Sequence, residues 1–137
     1  MNRSRYEVSF RKTLNTFCEG LADNLQLITG LSENVAAEAI AYLVQLACES
    51  QNIANISLAR QALSKLPPTW LVPRIHAIAE GNLDLNGEWE CRRLLELYLS
   101  MNAALARTFA ETSLLSQVDD VAAVGREFLT DPDRFVP

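Results

Sequence analysis

Between Glu33 and Ser50 the polar side chains Asn34, Glu38, Tyr42, Gln45 and Glu49 fall at intervals of four, four, three and four. That spacing draws one narrow stripe along a helix. The remaining surface carries Ala36, Ala37, Ala39, Ala41 and Ala47, which let neighbours approach closely, and Ile40, Leu43, Val44 and Leu46, which supply apolar bulk. A cylinder that is greasy on all but one edge cannot stand in water and has to be wrapped by other helices. Ser32 followed by Glu33 offers an N-cap. The segment is therefore predicted to be the central helix of an all-α fold.

The flanking sequence supplies the wrapping. A first helix is expected from near Ser4, with Tyr6, Phe10, Leu14, Phe17 and Leu21 at helical spacing and a break at Gly20 or Gly30. Ser57 is placed as the cap of a short third helix ending near Leu66, where Pro67 and Pro68 forbid continuation. Thr69 then caps a fourth, with Pro73 in its first turn or at its true start, and Gly81 ends it after Glu80. Beyond the loop GNLDLNG, a fifth helix from about Glu88 carries Cys91, Leu94, Leu95, Tyr98 and Met101 on one side. Glu88 with Arg92, and Arg92 with Glu96, form i,i+4 pairs outside.

Asn102 caps a sixth helix, and Asp119 or Asp120 a seventh that Asp131 and Pro132 stop. No run of β-branched or aromatic residues alternates between turn signals. The expectation is an all-α protein of about seven helices, packed as antiparallel helical hairpins in a short α-solenoid or an orthogonal bundle. Its 137 residues suit one domain over the whole length, able to bury about two-thirds of the unfolded surface.

Ser57, Glu88 and Asp119 stand 31 residues apart, and Arg74 and Arg107 hold like places 33 residues apart. With EWECRRLLELYLSMNAALARTFAE followed by SQVDDVAAVGREFL, this stretch resembles HEAT-type or armadillo-type helical repeats, over residues 33 to 130 at most. What the resemblance implies is a protein-binding scaffold.

A net charge of −5 gives nucleic acid no electrostatic drive to bind. Arg3, Arg5, Arg11 and Lys12 against Glu7 make the first twelve residues +3 and the remainder −8. The apolar positions behind those charges favour a core helix with solvated charges over a membrane-surface helix. No apolar run approaches the roughly eighteen residues that span a bilayer, and no signal-peptide pattern follows the basic start. The expectation is a cytoplasmic protein that binds no membrane. Cys18, Cys48 and Cys91 are odd in number and widely spaced, which suits small buried hydrophobes better than a disulfide framework or a zinc site.

Chemistry is sparse. Asn82, Asp84, Asn86 and Gly87 match the first positions of an EF-hand loop, but Arg93 stands where the bidentate glutamate belongs, so no metal is expected. There is no Gly-rich phosphate loop, no HExxH, no GxSxG and one histidine, His76. No catalytic residue and no cofactor are assigned. Trp89, beside Arg92 and Arg93, and Trp70, after two prolines, are open to two readings, core packing or anchors for a partner. The sequence thus points to a noncatalytic protein–protein interaction module, a scaffold or adaptor that regulates or neutralises a protein partner or pairs with its own copy. Its candidate contacts are Trp70, Trp89, Arg92 and Arg93. The alternative is a small enzyme or ligand carrier with an inter-helix pocket near His76 and Cys91.

Overall fold

A computed structural model describes residues 4–49 and 51–136. Among these the chain forms seven α-helices and three short 3-10 turns, with no strand. The helices are α1 (Arg5–Phe17), α2 (Glu33–Ala47), α3 (Ile53–Ser64), α4 (Pro68–Asn82), α5 (Glu88–Met101), α6 (Ala103–Leu114) and α7 (Asp119–Thr130). The 3-10 turns are Leu21–Asp23, Leu25–Gly30 and Pro132–Phe135. The all-α expectation holds. Arg3 and Ser50, used in the sequence argument, lie outside the described residues.

The described chain divides into two compact units, one holding α1 to α4 and the other α5 to α7 with the closing turn. In the first unit α2 is the hub. It packs against α1, α3, α4 and the Leu25–Gly30 turn. Ala36, Ala39, Ile40, Leu43, Val44 and Ala47 are buried, while Asn34, Glu38 and Gln45 of the polar stripe are exposed. Each fully buried Ile, Leu or Val side chain contributes about 1.5–3 kcal/mol, so these positions alone oblige neighbours to cover the helix. Tyr42 departs from the stripe: its ring stacks at 6.0 Å on Phe10 and lies 6.1 Å from Phe17, both of α1. An aromatic ring with a polar tip is better used as a seam between helices than in water.

Caps made by short polar side chains fall where the sequence puts them. Ser4 Oγ accepts from Glu7 N at 3.1 Å, Ser32 Oγ from Val35 N at 3.3 Å, and Asn102 Oδ1 from Leu105 N at 2.9 Å. Other boundaries are corrected. The first helix ends at Phe17 and the chain turns at Gly20, the first of the two expected breaks, with φ +81°, but Leu21 is buried from a 3-10 turn rather than from the helix. Asn52, not Ser57, caps α3, its Oδ1 accepting from Asn55 N at 3.1 Å. Ser57 lies inside the helix, so the spacing of 31 residues does not mark three helix starts. Pro68, whose missing N–H costs nothing at a helix start, opens α4 in place of a Thr69 cap. That leaves Pro73 inside the helix, and α4 runs through Gly81 to Asn82. Asp119 and Asp120 occupy the first turn of α7 after Val118 rather than capping it, and there they face the positive end of the helix dipole.

In the second unit α6 and α7 are the most extensively packed pair, and α5 touches both. Tyr98 of α5 and Phe109 of α6 meet edge to face at 5.7 Å. The α6–α7 approach is set by Gly125, where an added Cβ would fall 2.7 Å from both the Ala110 carbonyl oxygen and the Leu114 nitrogen. Backbone cannot yield as a flexible side chain can. Gly125→Ala is therefore expected to destabilise the protein by about 1–3 kcal/mol, read as a lower midpoint in urea with an unchanged slope. Gly87→Ala, whose nearest obstacle is the Glu90 side chain, is the milder control.

Candidate partner-binding surface

The start of α5 is built by a tight turn. Asp84 Oδ1 accepts from Asn86 N at 3.1 Å, and the Asp84 carbonyl accepts from Gly87 N at 3.0 Å. This is a structural turn, and Arg93, at the twelfth position of the loop motif, is ion-paired to Glu96 at 3.0 Å. Trp89 sits in the first turn of α5 and keeps 51% of its surface in water. Of its two sequence readings, the exposed one is the geometry found.

Arg92, three residues on and so on the same side of α5, carries the local electrostatics. Its guanidinium carbon lies 5.9 Å from the Trp89 ring centroid and 5.2 Å from that of Phe135, while Nη2 meets Glu127 Oε2 of α7 at 2.6 Å. The outside pairs with Glu88 and Glu96 expected from sequence are replaced: Arg92 reaches across to α7 and Glu96 takes Arg93. Glu127 Oε1 accepts in turn from Arg134 Nη1 at 3.2 Å, and Arg134 also pairs with Asp131 at 3.3 Å. One carboxylate thus holds two arginines, one oxygen each. The hydrogen bond from Arg92 is the main reason the Glu127 carboxyl titrates below its usual range, with Arg134 adding to it against a cost of burial.

Trp70 belongs to the first unit. Arg74 stacks on its ring at 4.6 Å, donates from Nη1 to its carbonyl at 2.7 Å, and pairs through Nη2 with Glu33 of α2 at 3.1 Å. The same guanidinium lowers the exposed Glu33 carboxyl. Between α2 and α4 a shallow groove of about 330 Å³ has Ala36, Ala37, Ile40 and Ala77 along it, with Trp70 and Arg74 among its borders. Trp70 is half-buried, so it offers a partner less surface than Trp89. Of the four candidate contacts, the structure brings Trp89 and Arg92 together. Arg93, on the adjacent face of α5, is largely covered and engaged with Glu96, and Trp70 has its own arginine partner.

His76 lies on α4 of the first unit, 3.6 Å from Glu80. Cys91 belongs to α5 of the second unit, fully buried, with its Sγ 3.4 Å from Ser113 Oγ. Burial raises the Cys91 thiol above its ordinary range, only partly offset by Ser113 and Arg92, and a thiol kept protonated is a poor nucleophile. Among the described residues no helix is long and apolar enough to cross a membrane. Glu127, Arg134 and Phe135 escaped the sequence reading, the only local signal being the Asp131–Pro132 stop that precedes the last turn. No family model, curated protein or solved structure matches the chain.

Glu127 gives a pH test. Its carboxyl is lowered in the folded state, so its stabilisation is complete above the unfolded value of about 4.3 and is lost as pH falls through the folded value. Urea titrations should therefore show wild type more stable than Glu127→Gln at pH 7, the gap narrowing as pH drops below about 4. A gap that does not change with pH would mean that the ion pairs of Glu127 contribute nothing.

Proposed function

We propose that this chain is a noncatalytic protein-binding module, a helical-hairpin scaffold or adaptor whose partner, another protein or a second copy of itself, covers the α5–α7 face around Trp89. The observation that carries the reading is the half-exposed Trp89 ring with the Arg92 guanidinium beside it, fixed from below by Glu127. Tryptophan and arginine are the side chains most enriched among the few that dominate binding energy. Both are presented from a helix rather than a loop, so little freedom remains to be lost when a partner arrives.

Other features support the class. The net charge of −5 disfavours nucleic acid as the partner and suits a basic protein surface. The free cysteines fit a reducing cytoplasm. The buried, protonated Cys91 is a poor nucleophile for the enzymatic alternative built on it.

The test is recovery of partners from the native cell on immobilised wild-type chain beside Trp89→Ala, with mass spectrometry. A stoichiometric partner should bind wild type and be lost or weakened at least about tenfold with the variant, a loss of about 1.4 kcal/mol or more. Trp70→Ala should cost less. Retention of the partner by Trp89→Ala, or a bound small molecule and no protein, would overturn the reading.

A further inference from the structure

The turn Pro132–Phe135 is held to its unit in an unusual way. Residues 131–134 and 136 are exposed, yet Phe135 between them is buried to 1% of its surface. Its ring meets Phe128 of α7 edge to face at 5.1 Å, and the Arg92 guanidinium covers it at 5.2 Å. The backbone bonds of the turn, Arg134 N to the Asp131 carbonyl and Val136 N to the Asp133 carbonyl, both 3.3 Å, close within the segment itself. The Asp131 N–H still closes on the Glu127 carbonyl of α7 at 2.8 Å, and beyond it what ties the turn to the helices is side chains: the Phe135 ring in its socket and the Arg134 guanidinium on Glu127 Oε1.

We infer that this socket is an exchangeable docking site for a segment carrying arginine followed by an aromatic residue, with the chain's own Arg134–Phe135 as its resident occupant. The chemistry is that of the occupant in place. Phe128 gives the incoming ring an edge-to-face partner and Arg92 a cation over its face. Glu127 accepts the guanidinium. Beside Glu127 a hollow of about 400 Å³, lined by Ala123, Arg126 and Thr130 of α7 and by Asp131 and Arg134 of the resident segment, gives the preceding residues of a guest somewhere to lie. Because the Arg92 guanidinium touches both the Phe135 and Trp89 rings, at 5.2 and 5.9 Å, whatever fills the socket also sets the cation beside Trp89. The inference deepens the reading of this face as a protein-binding surface by naming the partner feature it takes, and rests on that reading.

The experiment empties the socket in the full chain with Phe135→Ala and adds the hexapeptide DPDRFV, the sequence of residues 131–136. The readout is the Trp89 indole N–H resonance, assigned by comparison with Trp70→Phe. The peptide should shift that resonance saturably in Phe135→Ala and at least about tenfold more weakly in wild type, where the resident competes. The peptides DPDRAV and DPDAFV should each bind about tenfold or more worse than DPDRFV. A folded Phe135→Ala chain that ignores the peptide, equal binding to wild type and variant, or equal binding of DPDRAV would each overturn the inference. If circular dichroism shows Phe135→Ala unfolded, the full chains Arg134→Ala and Phe135→Leu take its place. Each has a weakened resident and should bind DPDRFV more tightly than wild type, and binding no tighter would overturn the inference. Peptide binding without any cellular partner would leave the socket standing and remove the protein-binding reading. A Trp89-dependent partner without peptide binding would do the reverse.

Discussion

The first unit depends on the burial of α2. A helix whose surface carries Ile40, Leu43 and Val44 at zero exposure, with Ala36, Ala39 and Ala47 between them, has no stable arrangement except as the wall of several neighbours at once. Its alanines decide how close those neighbours come, and its two larger partners on α1, Phe10 and Phe17, find the Tyr42 ring rather than another aliphatic chain. The polar stripe is what remains uncovered. The second unit solves the same problem differently. There the closest approach is made by the absence of a side chain, at Gly125, which lets α7 lie directly against the backbone of α6. Close backbone approach leaves little room for repacking, so the position of α7, and of Glu127 on it, is fixed by sterics before any charge is considered.

That rigidity matters for the electrostatics of the α5–α7 face. An exposed ion pair between flexible side chains is worth about 0–1 kcal/mol, because holding it costs rotamer freedom and water competes for both charges. Arg92 and Glu127 are each about three-quarters covered and spring from packed helices, so less freedom is lost in bringing them together. Glu127 then serves two cations without a geometric conflict, since each takes a different oxygen. The lowered carboxyl is the chemical trace of that arrangement.

What could be read from sequence was local. Ser4, Ser32 and Asn102 announce helix starts because a short oxygen-bearing side chain satisfies the amides two or three residues ahead, and nothing distant is needed. The apolar wall of α2 was equally legible, since the helical period writes it directly into residue spacing. Failures arose where two local signals competed or where a partner came from another element. Ser57 and Asn52 are both capable caps, and the chain uses the earlier one. Pro68 and Thr69 are both capable starts, and the earlier again wins. Glu88 and Glu96 stand at favourable spacing from Arg92, but the guanidinium turns to Glu127, a choice made by the packing of α5 on α7 that no spacing within α5 records. Trp89 is open to two readings in sequence, and its half-exposed position in the fold sets it outside the core.

The guanidinium of Arg92 also gives the half-exposed Trp89 indole a packing partner. Arginine is flat, weakly hydrated and permanently charged, so it can lie against one ring while covering another and still present its edge to a carboxylate. Lysine could satisfy Glu127 but has no planar group to set against the Trp89 and Phe135 rings. The stacking is worth about 0.5–1 kcal/mol at an exposed site and more once water is excluded. Under the proposed function, a partner covering Trp89 would remove that water and strengthen the contact at no further cost in arrangement. Arg92 is therefore organised by Glu127 and Phe135 before any partner arrives, which is the preorganisation that the proposed binding role calls for.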